Sequence, residues 1–591
     1  MTIPRIFFIF ALVFAIETSC EAATWFVRPG VWTKVDSTTG RPIPTAGVYG
    51  TQTGTNYANA WNGLTSVIWG GSGVVTGDTL YVCGTHIYKI QFLAGSLSTQ
   101  ALNVIGSSGV TIRMDWPGDA GTLFGGNINT VAAGAPYSGP DANGVYSQVL
   151  KSTATKPTLF QINGTNIIRL KARTTPTWTD RLGGQFLWGQ TNFIQFPDGS
   201  VPTTNNVAQA QSGWAFDLNY KSNITFQSCN FISADPVGSS YGGLRHMIPV
   251  SPYTNAANHI TFTNCTFSDQ QQFYLYPGEN DFSFLNCEFR RCSSGPYSLI
   301  NHTTLAPQRI TVSHCYFHDI GTPEYPDGDS HAIGIQGGNN HVISYNTISN
   351  TGPAITFWTG NVDMKNSIIA YNFITDTRTN TSAGISDGIA IGGDNSLALY
   401  GRRTGNKIYG NVIRNCSIGS GFWYQGVGIT VNSPDYTEIY DNTIYGGNFG
   451  IDFEVAITNS PPNAKIVNNL IVNPRSYFYY VAGSGTVTNL LVDHNLYYPM
   501  TDPTTQTKLY PSVAHDQNST FSDPIFVSTA PKGMSDFRLS VGSGAIGRGM
   551  LMGLTQDILG TIIPTDRAPD IGAFQSLLIR PSPPENLQLL P

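Results

Sequence analysis

The sequence is poor in charge, in long hydrophobic runs and in metal-type cysteine spacings. Only 12% of its 591 residues are Asp, Glu, Lys or Arg. That shortage, with abundant Gly, Asn, Thr and Ser, disfavours long exposed helices and favours many short strands joined by turns. The net charge of −6 is spread along the chain without the basic stripe that neutralises phosphates, so nucleic acid is not an expected partner. No apolar run after the first residues is long enough to span a bilayer, and the opening run Ile6 to Ile16 is itself too short. With Arg5 before it and the small residues Cys20, Ala22 and Ala23 after it, that run reads as an export signal over residues 1–23, cleaved near Ala22 or Ala23. Glu17 stands where a lipid-anchoring signal leading to Cys20 needs an aliphatic residue, which argues against an anchor. A secreted or periplasmic protein with no membrane span is expected. Seven cysteines remain after the signal, without CxxC or Cys/His spacing, in a chain long enough to fold unstapled. Neither a disulfide framework nor a zinc site is expected.

What is present is a repeat. Short alternating segments recur as ITFQSCNF, ITFTNCTF, FSFLNCEF, ITVSHCYF, VISYNTI, IIAYNFI, KIYGNVI, EIYDNTI, KIVNNLI and LLVDHNL. One column runs through them: Cys229, Cys265, Cys287 and Cys315, then Asn346, Asn372, Asn411, Asn442, Asn469 and Asn495, spaced 22 to 39 residues apart. Such a period with strand-like alternation marks a solenoid, because one unit cannot bury its apolar face alone. Identical side chains at one position stack as a ladder, Asn through its amide and Cys as a small buried hydrophobe. After a turn, a second strand follows in many coils: AIGIQGG, AITFWTG, GIAIGGD, GITVNSP, GIDFEVA and YFYYVAG. Its alternation sends Ile451 and Phe453 inward, and Asp452 and Glu454 outward.

These coils resemble the right-handed parallel β-helix family that includes pectate lyases, alginate lyases, polysaccharide epimerases and β-helical glycosidases. The resemblance spans about Asn103 to Asn495; GDTLYVCGTHIY near the start, and DPIF, DFRLSVGSGAIGRG and PDIGAFQ near the end, also resemble secreted members. It implies an all-β, single-stranded right-handed solenoid over 103–500, preceded by an N-terminal segment and cap (24–102) and followed by an associated segment (501–575) and a proline-rich tail (576–591). It also implies a polysaccharide or oligosaccharide partner. One scaffold of this kind carries many chemistries, so activity has to be read from the site.

Three coils carry insertions between column and second strand. The gap is 7 residues after Asn346 and Asn442, but 15 or 16 after Cys315, Asn372 and Asn411. Loops leaving one corner make a wall beside a sheet, and a wall beside a sheet makes a groove suited to an extended polymer. HDIGTPEYPDGDSH supplies His318, Asp319, Glu324, Asp327, Asp329 and His331; TDTRTNTSAGISD supplies Asp376, Arg378 and Asp387; CSIGSGFWYQG supplies Trp423 and Tyr424. Gln336, Trp358, Asn432, Asp452 and Glu454 lie on outward strand positions, with the small residues Gly334, Ala390 and Gly392 between them. Glycoside hydrolysis needs one protonated carboxyl and one carboxylate, and Asp387 with Asp452 or Glu454 is the expected pair, assisted by Asp329 and His331. Trp358, Trp423, Tyr424, Gln336, Asn432, Arg402 and Arg403 are the expected substrate-binding residues. The rival chemistry is β-elimination on a uronic polysaccharide, with Arg402 or Arg403 as base and calcium held by Asp327 and Asp329. Both arginines fall in GRRTGNK, where solvated turn residues are expected. A non-catalytic glycan-binding surface protein is the third reading.

Overall fold

The computed structural model describes residues 22–30, 32–35, 42–87, 107–125, 158–162, 165–169, 216–218, 221–233, 244–245, 257–268, 273–275, 277–298, 305–321, 330–358, 362–378, 386–392, 403–416, 426–432, 436–454, 464–482, 490–499, 509–510, 516 and 518–576. The repeat folds as three parallel sheets, each taking one strand from successive coils. In the coil of Asn346, Val342–Ser344 lies in the first sheet, Thr347–Thr351 in the second and Ile355–Trp358 in the third. The first sheet also takes in Thr111–Arg113 and, from the N-terminal segment, Thr24–Arg28 and Thr79–Val82.

Each corner between first and second sheets repeats one conformation. The residue before the ladder position is left-handed in all ten coils: Ser228, Asn264, Asn286, His314, Tyr345, Tyr371, Gly410, Asp441, Asn468 and His494 have φ of 53° to 63°. Such a backbone costs a non-glycine residue about 1–2 kcal/mol, and the ladder offsets it. From Asn346 to Asn469, each backbone N–H and Nδ2 donates to Oδ1 of the next ladder Asn at 2.8–3.3 Å. Each Nδ2 also donates to a carbonyl of the preceding coil, as Asn411 does to Ile369 O at 3.0 Å. Cys315 joins the two halves: its N–H donates to Asn346 Oδ1 (2.9 Å), and its thiol donates to Phe284 O (3.3 Å), the bond that Nδ2 makes elsewhere. Among the described residues no cysteine forms a disulfide, and all seven cysteines are buried.

The core changes where the ladder changes. Coils with Cys stack phenylalanines, Phe226 on Phe262 on Phe284 and Phe231 on Phe267 on Phe289 on Phe317, with centroids 4.6–5.1 Å apart. Coils with Asn stack isoleucines, Ile343, Ile369, Ile408, Ile439 and Ile466 in the first sheet, all buried.

Outward positions of the second sheet also change along the axis. One column reads Thr266, Glu288, Tyr316 and Thr347, then Phe373, Val412, Thr443, Leu470 and Leu496. Apolar residues facing outward need a cover, and residues 518–576 supply it by folding back over the later coils. Phe537, Ile558 and Phe574 pack with Val412, and Ala545 and Ile571 with Leu470 and Leu496. A cavity of about 160 Å³ remains under this strap, lined by Asp441, Leu551, Met552, Leu554, Ile563 and Pro569. Burial pushes the Asp441 carboxyl well above the ordinary carboxylate range, against the lowering effect of its hydrogen bond with Asn468.

Two outcomes follow for stability. Asn411→Ala strands the Asn372 amide and the Ile369 carbonyl in the core and lowers stability by about 3 kcal/mol, read from the urea midpoint. Asp441 holds its proton in the folded chain at pH values where the unfolded chain has lost it, so its contribution is full below about pH 3.9 and is lost as pH rises towards its folded pKa. Stability of the wild type relative to Asp441→Asn therefore falls with rising pH; a difference that stays flat or rises contradicts the buried carboxyl.

Candidate functional site

The third sheet presents two outward columns along the helix axis. The first runs through Tyr297, Gly334, Thr356, Ala390, Thr430, Asp452 and Tyr480 in successive coils. The second, two residues on, runs through Gln336, Trp358 and Gly392, then Asn432, Glu454 and Ala482. Small residues set the floor. Trp358, 36% exposed, lies across Gly392, where an added Cβ would stand 3.0 Å from the indole. Gly388, Gly428 and Gly450 open the strands on a tight stack, because a Cβ at each would stand 2.4–2.7 Å from the carbonyl of the next coil.

The insertions do leave from one corner. Gly321 and Ser330, Arg378 and Ser386, and Cys416 and Gly426 bound them, each pair joining a second-sheet strand to a third-sheet strand. Asp327, Asp329, Trp423, Tyr424 and Arg402 lie outside the described residues, as does Glu324. Among the described residues, no group of three or more His, Cys, Asp or Glu is placed to share a metal ion.

Asp387 and Asp452 come together through Thr430. Asp387 is buried at the corner; its Oδ1 accepts from Val427 N–H (3.1 Å) and its Oδ2 from the Thr430 hydroxyl (2.9 Å). Thr430 is the register neighbour of Asp452. Both Asp387 oxygens therefore act as acceptors tying one coil to the next. Asp452 is buried on the outward column between Thr430 and Tyr480, and Glu454 takes the next outward position of the same strand. Thr430 was missed by sequence reading, although GITVNSP places it on the column of Asp452.

Towards the N-terminal end of the third sheet, His331 is buried with its ring stacked on Tyr297, centroids 5.8 Å apart and planes 7° from parallel. Gln336 Nε2 donates to Tyr297 Oη (3.0 Å). Tyr297, a second residue that the sequence did not single out, thus links two that it did.

Other residues are placed differently from the expectation. Arg403 is not a solvated turn residue: it opens the strand Arg403–Tyr409, is 1% exposed, and donates from Nη1 to the Asn432 carbonyl. Met364 is its register partner, so its stem runs inside the corner while its charge reaches the end of the Val427–Asn432 strand. His318 and Asp319 do not lie on the third sheet. They sit in the second-sheet strand Tyr316–Ile320, where His318 contacts Glu288 (3.0 Å) and Asp319 (2.9 Å). Asp376 is likewise on the second-sheet side, paired with Arg414 at 2.8 Å.

Residues 250–413 match the family model described as right handed beta helix region. The chain is a right-handed parallel β-helix. Solved structures similar to this β-helix include XylC in complex with xylose (9% identity, 94% of this chain and 98% of that one, TM-score 0.47) and the Streptococcus pneumoniae surface protein and adhesin PfbA (11%, 71% and 88%, 0.39). Pectate lyase Pel9A is a third (11%, 94% and 96%, 0.34). No curated protein matches the sequence.

Removing the Asp387 side chain strands the Val427 N–H and Thr430 hydroxyl at a buried corner. Asp387→Ala costs about 3 kcal/mol in denaturant unfolding, and Asp387→Asn, which retains one acceptor, less than half of that. Equal losses would mean that the carboxylate charge, not its two acceptor positions, holds the corner.

Proposed function

We propose that this β-helix is an exported carbohydrate-active enzyme that cleaves an extracellular polysaccharide by hydrolysis in the groove of the third sheet. The observation that carries the reading is the indole of Trp358 laid open across Gly392, on one column with Gln336, Asn432 and Glu454, with Asp452 on the neighbouring column three coils further on. A flat aromatic face at the height of a side-chain-free floor takes the apolar face of a sugar ring, and the amides beside it take hydroxyls. Successive coils are about 4.8 Å apart, so an extended glycan along the axis meets a new pair of outward residues at each coil.

Asp452 and Glu454 are the proposed carboxylate pair. Two residues apart on one strand, their backbones are about 7 Å apart, a separation from which carboxyl groups can work as acid and base on opposite sides of a glycosidic bond. Asp387, with both oxygens engaged, is a positioning residue that sets Thr430 beside Asp452. Elimination is the weaker reading, because Arg403 is buried and committed to the Asn432 carbonyl.

The test incubates the purified protein with neutral and uronic polysaccharides, following reducing ends and unsaturated-product absorbance together. Reducing ends without absorbance are expected. Asp452→Asn and Glu454→Gln each lower kcat by about 100-fold or more, while Trp358→Ala acts mainly on KM. Both signals together would mean elimination, and retention of a glycan with neither would mean a binding protein.

A further inference from the structure

We propose that the Ala22–Ala23 peptide bond is the processing site, and that the α-amino group it releases on Ala23 docks as an ammonium on the buried carboxylate of Asp78, locking the first strand of the helix. The inference rests on the export reading above.

Register brings the two groups together. Thr24–Arg28 pairs in parallel with Thr79–Val82, Thr24 opposite Thr79, so Ala23 stands beside Asp78; the Thr79 N–H donates to Ala23 O at 2.9 Å. Ala23 N lies 2.7 Å from Asp78 Oδ1. Oδ2 accepts from Trp25 Nε1 (2.8 Å) and from Val75 N–H (2.9 Å). Asp78 is only 3% exposed, and these three partners are all neutral N–H donors. Burying a carboxylate is costly unless opposite charge or several donors compensate it. Here the donors are in place, and one of them is the nitrogen that cleavage would turn into a cation.

The sequence puts the cut at the same bond. Peptidases that remove export signals take small residues at the first and third positions before the bond. Cys20 and Ala22 meet that need for cleavage after Ala22, whereas cleavage after Ala23 would put Glu21 in the third position. The side chains agree with an end at this point, Ala22 being exposed and Ala23 half-buried. In the reaction, water adds across the amide. Ala22 leaves with the new carboxyl group on the removed segment, and the Ala23 nitrogen becomes an amine that takes up a proton. An ordinary α-amino group has a pKa of about 7.7–8.0. Beside a buried carboxylate its charged form is favoured and its pKa rises. The clamp is therefore complete below about pH 8 and lost as pH climbs through the raised value. Before cleavage the same nitrogen is a neutral amide, so processing strengthens the contact that holds the N-terminal coil.

The test produces the full chain with its own signal in a secreting host, measures the intact mass of the exported protein, and follows acylation of its α-amine from pH 6 to 10. The expected product begins at Ala23, and its α-amine reacts about tenfold more slowly near neutral pH than that of Asp78→Asn, the effect of a one-unit rise in pKa. A second protein that retains Ala22 at its amino end should melt at a lower temperature than the Ala23 form, and Asp78→Asn should abolish that difference. If Asp78→Asn does not fold, the Ala22-retaining protein still decides, because its α-amine should react at the ordinary rate. A chain retained uncleaved inside the host overturns the export reading and this inference with it, and one lipidated on Cys20 keeps export but overturns the cut and the clamp. A cut elsewhere, or an Ala23 amine of ordinary reactivity, overturns the clamp and leaves export standing.

Discussion

The helix depends on an amide stacked on an amide at one corner. A solenoid with coils of unequal length has no general device to keep its strands in register, since insertions push each turn out of step with the last. Here the constraint is local. A left-handed residue turns the chain, and the next residue is buried with its side chain bonded to the coils on either side. Each Asn uses both ends of its amide, so a one-residue slip would strand donors and acceptors in a dry core, where each costs about 1–3 kcal/mol. The cysteine coils satisfy the same carbonyls with a weaker donor, and there the stacked phenylalanines add area that the isoleucine coils do not have.

With register fixed, residues far apart in sequence share a face. Gln336, Trp358, Asn432 and Glu454 belong to different coils, yet successive corners bring them onto one outward column. The insertions leave from the corner beside that column, so the core tolerates them; the ladder residue is already bonded before the chain departs. The same logic explains why the strap is needed where it is. From Phe373 onwards the outward column of the second sheet is apolar except at Thr443, and the chain returns to cover it with Phe537, Ile558 and Phe574.

The solenoid and its ladder were legible because both leave a periodic mark: Cys315, Asn346 and Asn372 are recognisable as one column before any coordinate is known, and they stack in that order. The outward strand positions were legible for the same reason, since alternation alone separates Asp452 from Ile451. Contacts between coils left no such mark. Nothing in GRRTGNK says that Arg403 turns inward to the Asn432 carbonyl, and nothing in the run HDI says that His318 finds Glu288 on the second sheet. Asp387 shows the limit most clearly. The sequence marks it as a candidate acid, but its engagement by Val427 and Thr430 depends on the three-dimensional stack.

The most direct measurement is a distance. Gln336 and Glu454 lie four coils apart on one column, and spin labels on Gln336→Cys and Glu454→Cys report their separation by pulsed electron resonance, with the buried native cysteines left unlabelled. Stacked coils require a backbone separation of about 19 Å. A distribution centred well beyond 30 Å, several times the spread that label linkers introduce, would mean that these residues do not share one exposed face.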